Sequence, residues 1–222
     1  MLLPLRPGEL QRLIPAVATG TQFRATLGNP RKILQRLLIS GIGGVITLLI
    51  SQSLSFHRWG SVWLIAGVLL PLYLLWGPIV EAGRRNAELR RYPAAALFEG
   101  EVVEAFTRER VENQREQADA NGRLELVENR RTWMVLDLAD EDGYLGRISF
   151  PKTKAHGLIR AGMVVRCVVL SDRKDFSRLG ALTDAWLPEV RLWVGDYPFL
   201  LRPAFEDLCR LRLHASSRHP KF

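Results

Sequence analysis

Two long apolar runs dominate the hydropathy pattern of this chain. Leu37–Phe56 contains 20 residues without a charged side chain, and Trp59–Val80 contains 22. A bilayer core about 30 Å thick takes about 20 helical residues, because each residue advances a helix by about 1.5 Å. Only His57 and Arg58 separate the two runs, which leaves room for a tight turn. The pattern therefore predicts a transmembrane helical hairpin over residues 34–81, with spans at about 37–56 and 59–80.

Small residues and helix breakers shape this predicted hairpin. Within the first run, small side chains recur four residues apart, a spacing that lets two helix backbones approach closely in lipid. The candidate packing residues are Ser40, Gly43, Gly44 and Thr47. In the second run, Pro71 and the pair Gly77-Pro78 weaken the backbone hydrogen bonds, and we expect a kink near Gly77.

Basic residues flank the hairpin on one side. Because positive charge stays on the cytoplasmic face, both ends of the hairpin are expected on the cytoplasmic or stromal side of a thylakoid or plasma membrane. Tryptophan also prefers the membrane interface. The predicted interface anchors are Arg36, Trp59, Trp63, Trp76, Arg84 and Arg85. Residues 1–33 then form an amphipathic cytoplasmic segment, and residues 82–98 a basic linker.

The remainder of the chain has the composition of a small β domain. Five short segments of alternating apolar and polar residues, separated by turn signals, lie between residues 99 and 195. Five strands with a helical connection after the third are typical of a closed barrel of the OB or SH3-like type, and closure would remove exposed edges. The predicted fold is thus a membrane α-helical hairpin plus a small all-β barrel in the cytoplasm. Residues 196–222 are expected to form a short helix and a basic tail.

The sequence contains no familiar catalytic or metal-binding pattern. It has no HExxH, CxxC, Walker A or GxSxG motif. The two cysteines, Cys167 and Cys209, do not make a disulfide framework, and the first lies in an apolar run typical of a buried thiol. We therefore predict no catalytic residues, no cofactor and no metal.

The charge balance is basic, with 31 Lys and Arg against 23 Asp and Glu. An excess of positive charge suits anionic lipid, an acidic protein or nucleic acid. Trp133 and other aromatic residues could stack on bases, but they alternate with apolar neighbours as core residues do, and acidic residues dilute the basic ones, so nucleic acid is not expected. The candidate partner contacts are Arg108, Arg110, Arg115, Arg210 and Arg212.

The opening of the chain also carries a resemblance. Residues 13–20, Leu-Ile-Pro-Ala-Val-Ala-Thr-Gly, precede Arg-Leu-Leu-Ile-Ser at residues 36–40. This layout resembles a family of uncharacterised two-span membrane proteins of oxygenic phototrophs, whose members sometimes carry the label phosphate-transporter permease. The resemblance covers the N-terminal region and the hairpin most clearly. It implies a photosynthetic membrane or a neighbouring plasma membrane.

Together these patterns predict a non-catalytic, membrane-anchored adaptor. Its expected partners are the bilayer and a membrane protein complex, with an accessory or assembly role in a photosynthetic complex as the concrete version; contact with pigment or lipid stays open. A transport-related membrane subunit is the first alternative, although two spans alone do not enclose a solute path. An OB-like nucleic-acid-binding module at the membrane is the second.

Overall fold

A computed structural model describes residues 1–28, 30–53, 60–118, 124–141, 143 and 145–217. The chain folds into two units. The first, here called the β unit, combines Met1–Leu13 with Tyr92–Phe222, and the second, the helical unit, is Ile14–Arg91. These units do not coincide with the predicted boundaries at residues 33 and 98, because residues 1–13 join the β unit and strand β2 already begins at Ala94.

The described residues of the β unit form eight strands, where the sequence predicted five. The strands are β1 (Leu2–Pro4), β2 (Ala94–Ala118), β3 (Leu124–Ala139), β4 (Leu145–Pro151), β5 (Val164–Ser171), β6 (Leu179–Leu182), β7 (Ala185–Leu187) and β8 (Leu192–Val194). The helices are α1 (Glu9–Leu13) and α6 (Arg202–Ser217), with a 3₁₀ turn at Lys154–Leu158.

The strands form one open antiparallel sheet in the order β4-β3-β2-β5-β7-β8, with β1 added to β2 and β6 added to β5. The predicted closed barrel of OB or SH3-like type is therefore wrong. Closure requires the two end strands to pair along a shared length. Here β4 has seven residues while β7 and β8 have three each, so the far end of the sheet offers little backbone for β4 to pair with.

One face of the curved sheet encloses the core. The largest fully buried side chains include Phe98, Leu136, Phe150 and Leu187. They come from β2, β3, β4 and β7, and all four belong to a single apolar cluster. Burial of such side chains contributes roughly 1.5–3 kcal/mol each, which is the main source of stability for a sheet of this size.

Strands β2 and β3 continue beyond the rest of the sheet. Strand β5 accompanies β2 only as far as Glu101, and β4 accompanies β3 only between Trp133 and Ala139. Residues 109–118 and 124–132 pair with each other, and no third strand is described beside them. At about 3.3 Å per residue, this two-stranded ribbon extends for about 30 Å. The connection between these two strands, residues 119–123, lies outside the described residues.

The helical unit contains α2 (Gly20–Leu27), α3 (Pro30–Ser53), α4 (Gly60–Leu69) and α5 (Tyr73–Arg90). Helix α3 is long and apolar enough to cross a membrane. Helices α4 and α5 reach that length only together, and their axes are bent by 79° at the break between them. The predicted turn between the spans falls in residues 54–59, outside the described residues.

The bend between α4 and α5 lies at Pro71, and the kink expected near Gly77 stays a prediction. Pro71 has no amide hydrogen, and the Tyr73 amide donates to Leu70 rather than to Leu69. The released Leu69 carbonyl accepts a hydrogen bond of 2.9 Å from the indole Nε1 of Trp76. Helix α5 then continues through Gly77 and Pro78 without a break.

Candidate functional site

The outer face of β2, β3 and β4 carries a shallow basic cavity of about 250 Å³. We call it the arginine–tryptophan face. Its lining residues are Arg108, Arg110, Trp133, Val135, Arg147 and Ser149. Three arginines and a tryptophan thus line one cavity at the point where the two-stranded ribbon leaves the sheet.

The strand register places these residues side by side. Arg108 of β2 lies opposite Trp133 of β3, and Val135 of β3 lies opposite Ser149 of β4. Because side chains alternate between the two faces of a strand, the residues next to them, such as Met134, point into the core instead. Residues that are distant in sequence therefore form one continuous outer surface.

The arginines are arranged around aromatic rings and one carboxylate. The Arg110 guanidinium carbon lies 5.3 Å from the centroid of the Trp133 ring, within the range of a cation–π contact. Arg147 donates two hydrogen bonds to Asp137, of 2.6 and 2.8 Å, and this interaction lowers the pKa of the Asp137 carboxyl. The Trp133 Nε1 is buried and has no hydrogen-bond partner among the described residues.

This arrangement suits binding. Guanidinium groups recognise carboxylates through paired hydrogen bonds, and an adjacent indole offers apolar contact area. Arginine and tryptophan are also the side chains most enriched at energetically important positions of protein interfaces. The face therefore has the chemistry to hold an anionic, partly apolar surface.

The structure brings together only part of the predicted contact set. Arg108 and Arg110 lie on the arginine–tryptophan face. Arg212 instead donates to Glu9, at 2.8 and 3.0 Å, and Arg210 is exposed on α6. The side chain of Arg115 is outside the described residues. Sequence reasoning missed Arg147, because only the pairing of β3 with β4 brings it to the cavity that Trp133 also lines.

A second feature is the inverted polarity of α3. Its buried positions include Arg36, Ser40, Gly44 and Thr47, which recur at helical spacing. The large apolar side chains point outward and are 43% to 59% exposed: Leu34, Leu37, Leu38, Ile39, Ile42, Val45, Ile46, Leu48 and Leu49. A helix on the surface of a water-soluble protein has the opposite pattern. Polar and small residues inside, with apolar residues outside, are typical of helices surrounded by lipid.

The small residues of α3 lie where neighbouring residues approach. A side chain built on Gly44 would come within 2.8 Å of the Pro71 ring, and one on Gly43 within 3.5 Å of Leu70. On α4, the corresponding position of Gly67 faces Leu48 at 3.0 Å. Glycine at these sites permits close packing between α3 and the α4–α5 segment.

The predicted interface anchors have different environments. Arg36 is buried and its Nη2 lies 2.7 Å from Glu81, while Arg85 binds the other oxygen of Glu81 at 3.1 Å. Arg84 is exposed. Trp63 is half-buried, and Trp76 donates a hydrogen bond to the Leu69 carbonyl at the bend. Trp59 lies outside the described residues.

Nearby, an amide pair joins α2 to α5. Gln22 and Asn86 are 1% and 0% exposed, and their side-chain amides exchange hydrogen bonds of 3.0 and 3.3 Å. Asn86 also donates to the Pro15 carbonyl at 2.9 Å, and Gln22 accepts from the Thr19 amide at the start of α2. A fully bonded buried amide pair specifies one arrangement of the helices, since any other would leave polar atoms unpaired.

A buried carboxyl group lies in the β unit, away from the arginine–tryptophan face. Asp184 is 4% exposed, and its Oδ1 accepts a 2.9 Å hydrogen bond from the Leu200 amide. Its Oδ2 has no hydrogen-bond partner among the described residues. Burial raises the pKa of Asp184 to about 7, although the Leu200 amide and the Arg202 charge act in the opposite direction.

This carboxyl should make the β unit less stable as pH rises. An unfolded aspartate titrates near pH 4, so between about pH 4 and 7 ionisation favours the unfolded chain, by at most about 1.4 kcal/mol per pH unit. We expect the urea midpoint of the full chain to be lower at pH 8 than at pH 5. Asp184→Asn keeps the acceptor for Leu200 and should remove most of this difference, whereas the exposed control Asp172→Asn should retain it. An unchanged pH dependence in Asp184→Asn would contradict the assignment.

Comparison with known proteins gives a family without a known role. Residues 3–214 match the model of a family described as "Family of unknown function (DUF8619)", and the chain belongs to that family. No curated protein and no solved structure matches it.

Proposed function

We propose that this member of the DUF8619 family is a non-catalytic, membrane-anchored adaptor. In this proposal the helical unit inserts into a bilayer, and the β unit binds an acidic segment of a neighbouring membrane protein complex. The resemblance of the opening segment to proteins of oxygenic phototrophs makes a photosynthetic membrane complex the concrete version.

The observation that carries the proposal is the inverted polarity of α3. Nine large apolar side chains along this helix are exposed, while Arg36, Ser40 and Thr47 are buried. Exposing so many contiguous apolar side chains to water would be costly, at roughly 25 cal/mol per Å² of apolar surface. Lipid around the helix removes this cost.

The division of the chain supports a helical unit that enters and leaves from one side. Residues 1–13 and 92–222 belong to the same folded unit, so the ends of the helical unit, Ile14 and Arg91, connect to one body. A single crossing would place these two connections on opposite sides of the membrane. This supports α3 as one crossing and the bent α4–α5 pair as the return.

The arginine–tryptophan face supports a protein partner. Its three arginines are exposed, they line one cavity with Trp133, and the cavity lies at the base of the β2–β3 ribbon. A two-stranded ribbon is marginally stable in water by itself, and contact with a partner would stabilise it. Charge complementarity favours a carboxylate-rich partner segment.

The test is recovery of the native complex from membranes. We expect the tagged full chain, expressed at its native level, to resist alkaline carbonate extraction and to migrate within a large complex after mild detergent treatment. The double variant Arg108→Glu, Arg110→Glu should stay in the membrane but lose co-purifying protein by about tenfold or more, since charge-assisted contacts contribute roughly 1.5–3 kcal/mol each.

The matched control is Lys154→Glu with Arg210→Glu. Both residues are exposed in the β unit, neither lines the face, and the change in net charge is the same. This variant should retain the complex. Carbonate extraction of the parent protein, its recovery only as a monomer, or equal losses in the two double variants would contradict the proposal.

A further inference from the structure

The sheet ends at β4, next to the arginine–tryptophan face. Strand β4 is the last in the sheet order, and its only partner among the described strands is β3. Its other edge borders the face, since Arg147 and Ser149 of β4 line the cavity. An edge strand of seven residues presents a row of backbone groups to which another strand can bond.

The register shows which backbone groups point away from β3. The Lys152 amide donates to the Thr132 carbonyl at 2.9 Å, so these two residues form a hydrogen-bonded pair. In an antiparallel ladder such pairs alternate along the strand. Residues 146, 148 and 150 therefore bond β3, whereas the amides and carbonyls of Arg147 and Ser149 point outward. Pro151, which has no amide hydrogen, occupies another outward position.

The same two residues place their side chains on the basic surface. Arg147 and Ser149 are exposed, while Ile148 and Phe150 point into the core. In an added antiparallel strand, the residue opposite Arg147 has its side chain on the same face as Arg147, about 5.5 Å away between Cα atoms. Arg147 donates to Asp137 through Nε and Nη2, so a carboxylate of such a strand would share its guanidinium with Asp137. The residues between the carboxylates would extend the apolar core face of the sheet.

We infer that the outer edge of β4 binds an extended acidic peptide as an additional antiparallel strand. The inference rests on the proposed function and specifies the form of the partner: a strand in which carboxylates alternate with apolar residues. Backbone hydrogen bonds to Arg147 and Ser149 would supply affinity, and the arginine–tryptophan face would select the acidic side chains. A second copy of this chain fits less well, because two β4 edges would bring their Arg147 side chains together.

The probe is a labelled peptide, acetyl-Glu-Val-Glu-Val-Glu-Val-Glu-amide, measured by fluorescence anisotropy against the full chain in nanodiscs of neutral lipid. Two isomers carry two N-methyl groups each. In one isomer the methyl groups are on the two internal glutamates, and in the other they are on the first two valines. In an antiparallel added strand with glutamates on the basic face, the glutamate amides point towards β4. N-methylation of the glutamates should therefore weaken binding at least about tenfold, and N-methylation of the valines should leave it nearly unchanged.

A protein variant provides the second measurement. Ser149→Pro removes an outward amide without removing a hydrogen bond to β3, and it should weaken peptide binding about as much as glutamate N-methylation does. Ser149→Ala keeps the amide and should bind normally. The isomer comparison uses the unaltered protein, so it remains decisive if Ser149→Pro does not fold.

Equal binding of the two isomers, or equal weakening of both, would overturn the inference. So would stronger binding of the charge-reversed peptide, in which lysine replaces glutamate. These outcomes are distinct from failure of the adaptor role. A native complex that depends on Arg108 and Arg110, together with isomers that bind equally, would leave the proposed function in place and remove the added strand. If the valine-methylated isomer binds more tightly than the glutamate-methylated one but no native complex is recovered, the added strand stands and the proposed adaptor function falls.

Discussion

Arg36→Ala should destabilise the helical unit by about 2–4 kcal/mol. The Arg36 guanidinium holds three elements together: Nη1 donates to the Thr26 and Leu27 carbonyls at the end of α2, at 3.1 and 3.2 Å, and Nη2 binds Glu81 of α5 at 2.7 Å. The side chain is 9% exposed. Its removal leaves two carbonyls without their donor and a carboxylate with only Arg85 beside it. Breaking a buried ion pair typically costs 3–5 kcal/mol, and the half-exposed Glu81 places this case towards the lower end.

The measurement is the thermal midpoint of the full chain in mild detergent, followed by helical circular dichroism. Arg84→Ala is the matched control, since it removes an exposed arginine from α5. The double variant Arg36→Met, Glu81→Gln removes both charges, and it should be more stable than Arg36→Ala because no carboxylate is left unpaired. A midpoint for Arg36→Ala equal to that of Arg84→Ala would contradict the role assigned to this residue.

Gly100→Ala should destabilise the β unit by about 1–3 kcal/mol, the usual cost of forcing extra volume into a packed core. Gly100 lies on β2 opposite Val165 of β5. A methyl group at this position would overlap the backbone carbonyl of Ala139 and the ring of Phe98. The carbonyl belongs to β3, which pairs with β2, so relief requires a shift of the strand rather than of a side chain.

The free energy of unfolding, measured by urea titration with tryptophan fluorescence, tests this expectation. Gly157→Ala is the control, because a methyl group there meets no atom within 4 Å and its backbone has no positive φ. We expect the control to remain within about 0.5 kcal/mol of the parent protein. Equal effects of the two substitutions would show that the space around Gly100 can relax.

The strands around the core were largely predictable from sequence, because their apolar residues recur at strand spacing or form a short apolar run. The segments predicted at residues 100–106 and 131–138 lie in strands of the structure, and the segment at 163–170 does so from Val164 onward. The ribbon was not predictable, since the run after Arg108 is charged and shows no hydrophobic period. The pairing of β1 with β2 was also hidden, because contacts so distant in sequence leave no local signal.

The same distinction applies to the helices and the face. Apolar composition located α3, and the spacing of its small residues singled out Ser40, Gly44 and Thr47, which are buried in the structure. The second apolar run is continuous in sequence, yet it is divided by the bend at Pro71. Charge alone pointed to Arg108 and Arg110, whereas the contributions of Arg147 and Trp133 depend on the register of three strands.

The early position of β1 in the chain has a consequence for biosynthesis. The ribosome makes Leu2–Pro4 before its pairing partner Ala96–Phe98, which appears only after the whole helical unit has been translated. Until β2 has been made, β1 has no pairing partner, and residues 1–13 must stay in the compartment where β2 will fold. If the helical unit enters a bilayer, both of its ends, Ile14 and Arg91, stay on the side where the sheet folds. Pairing of β1 with β2 then joins the segments that flank the helical unit.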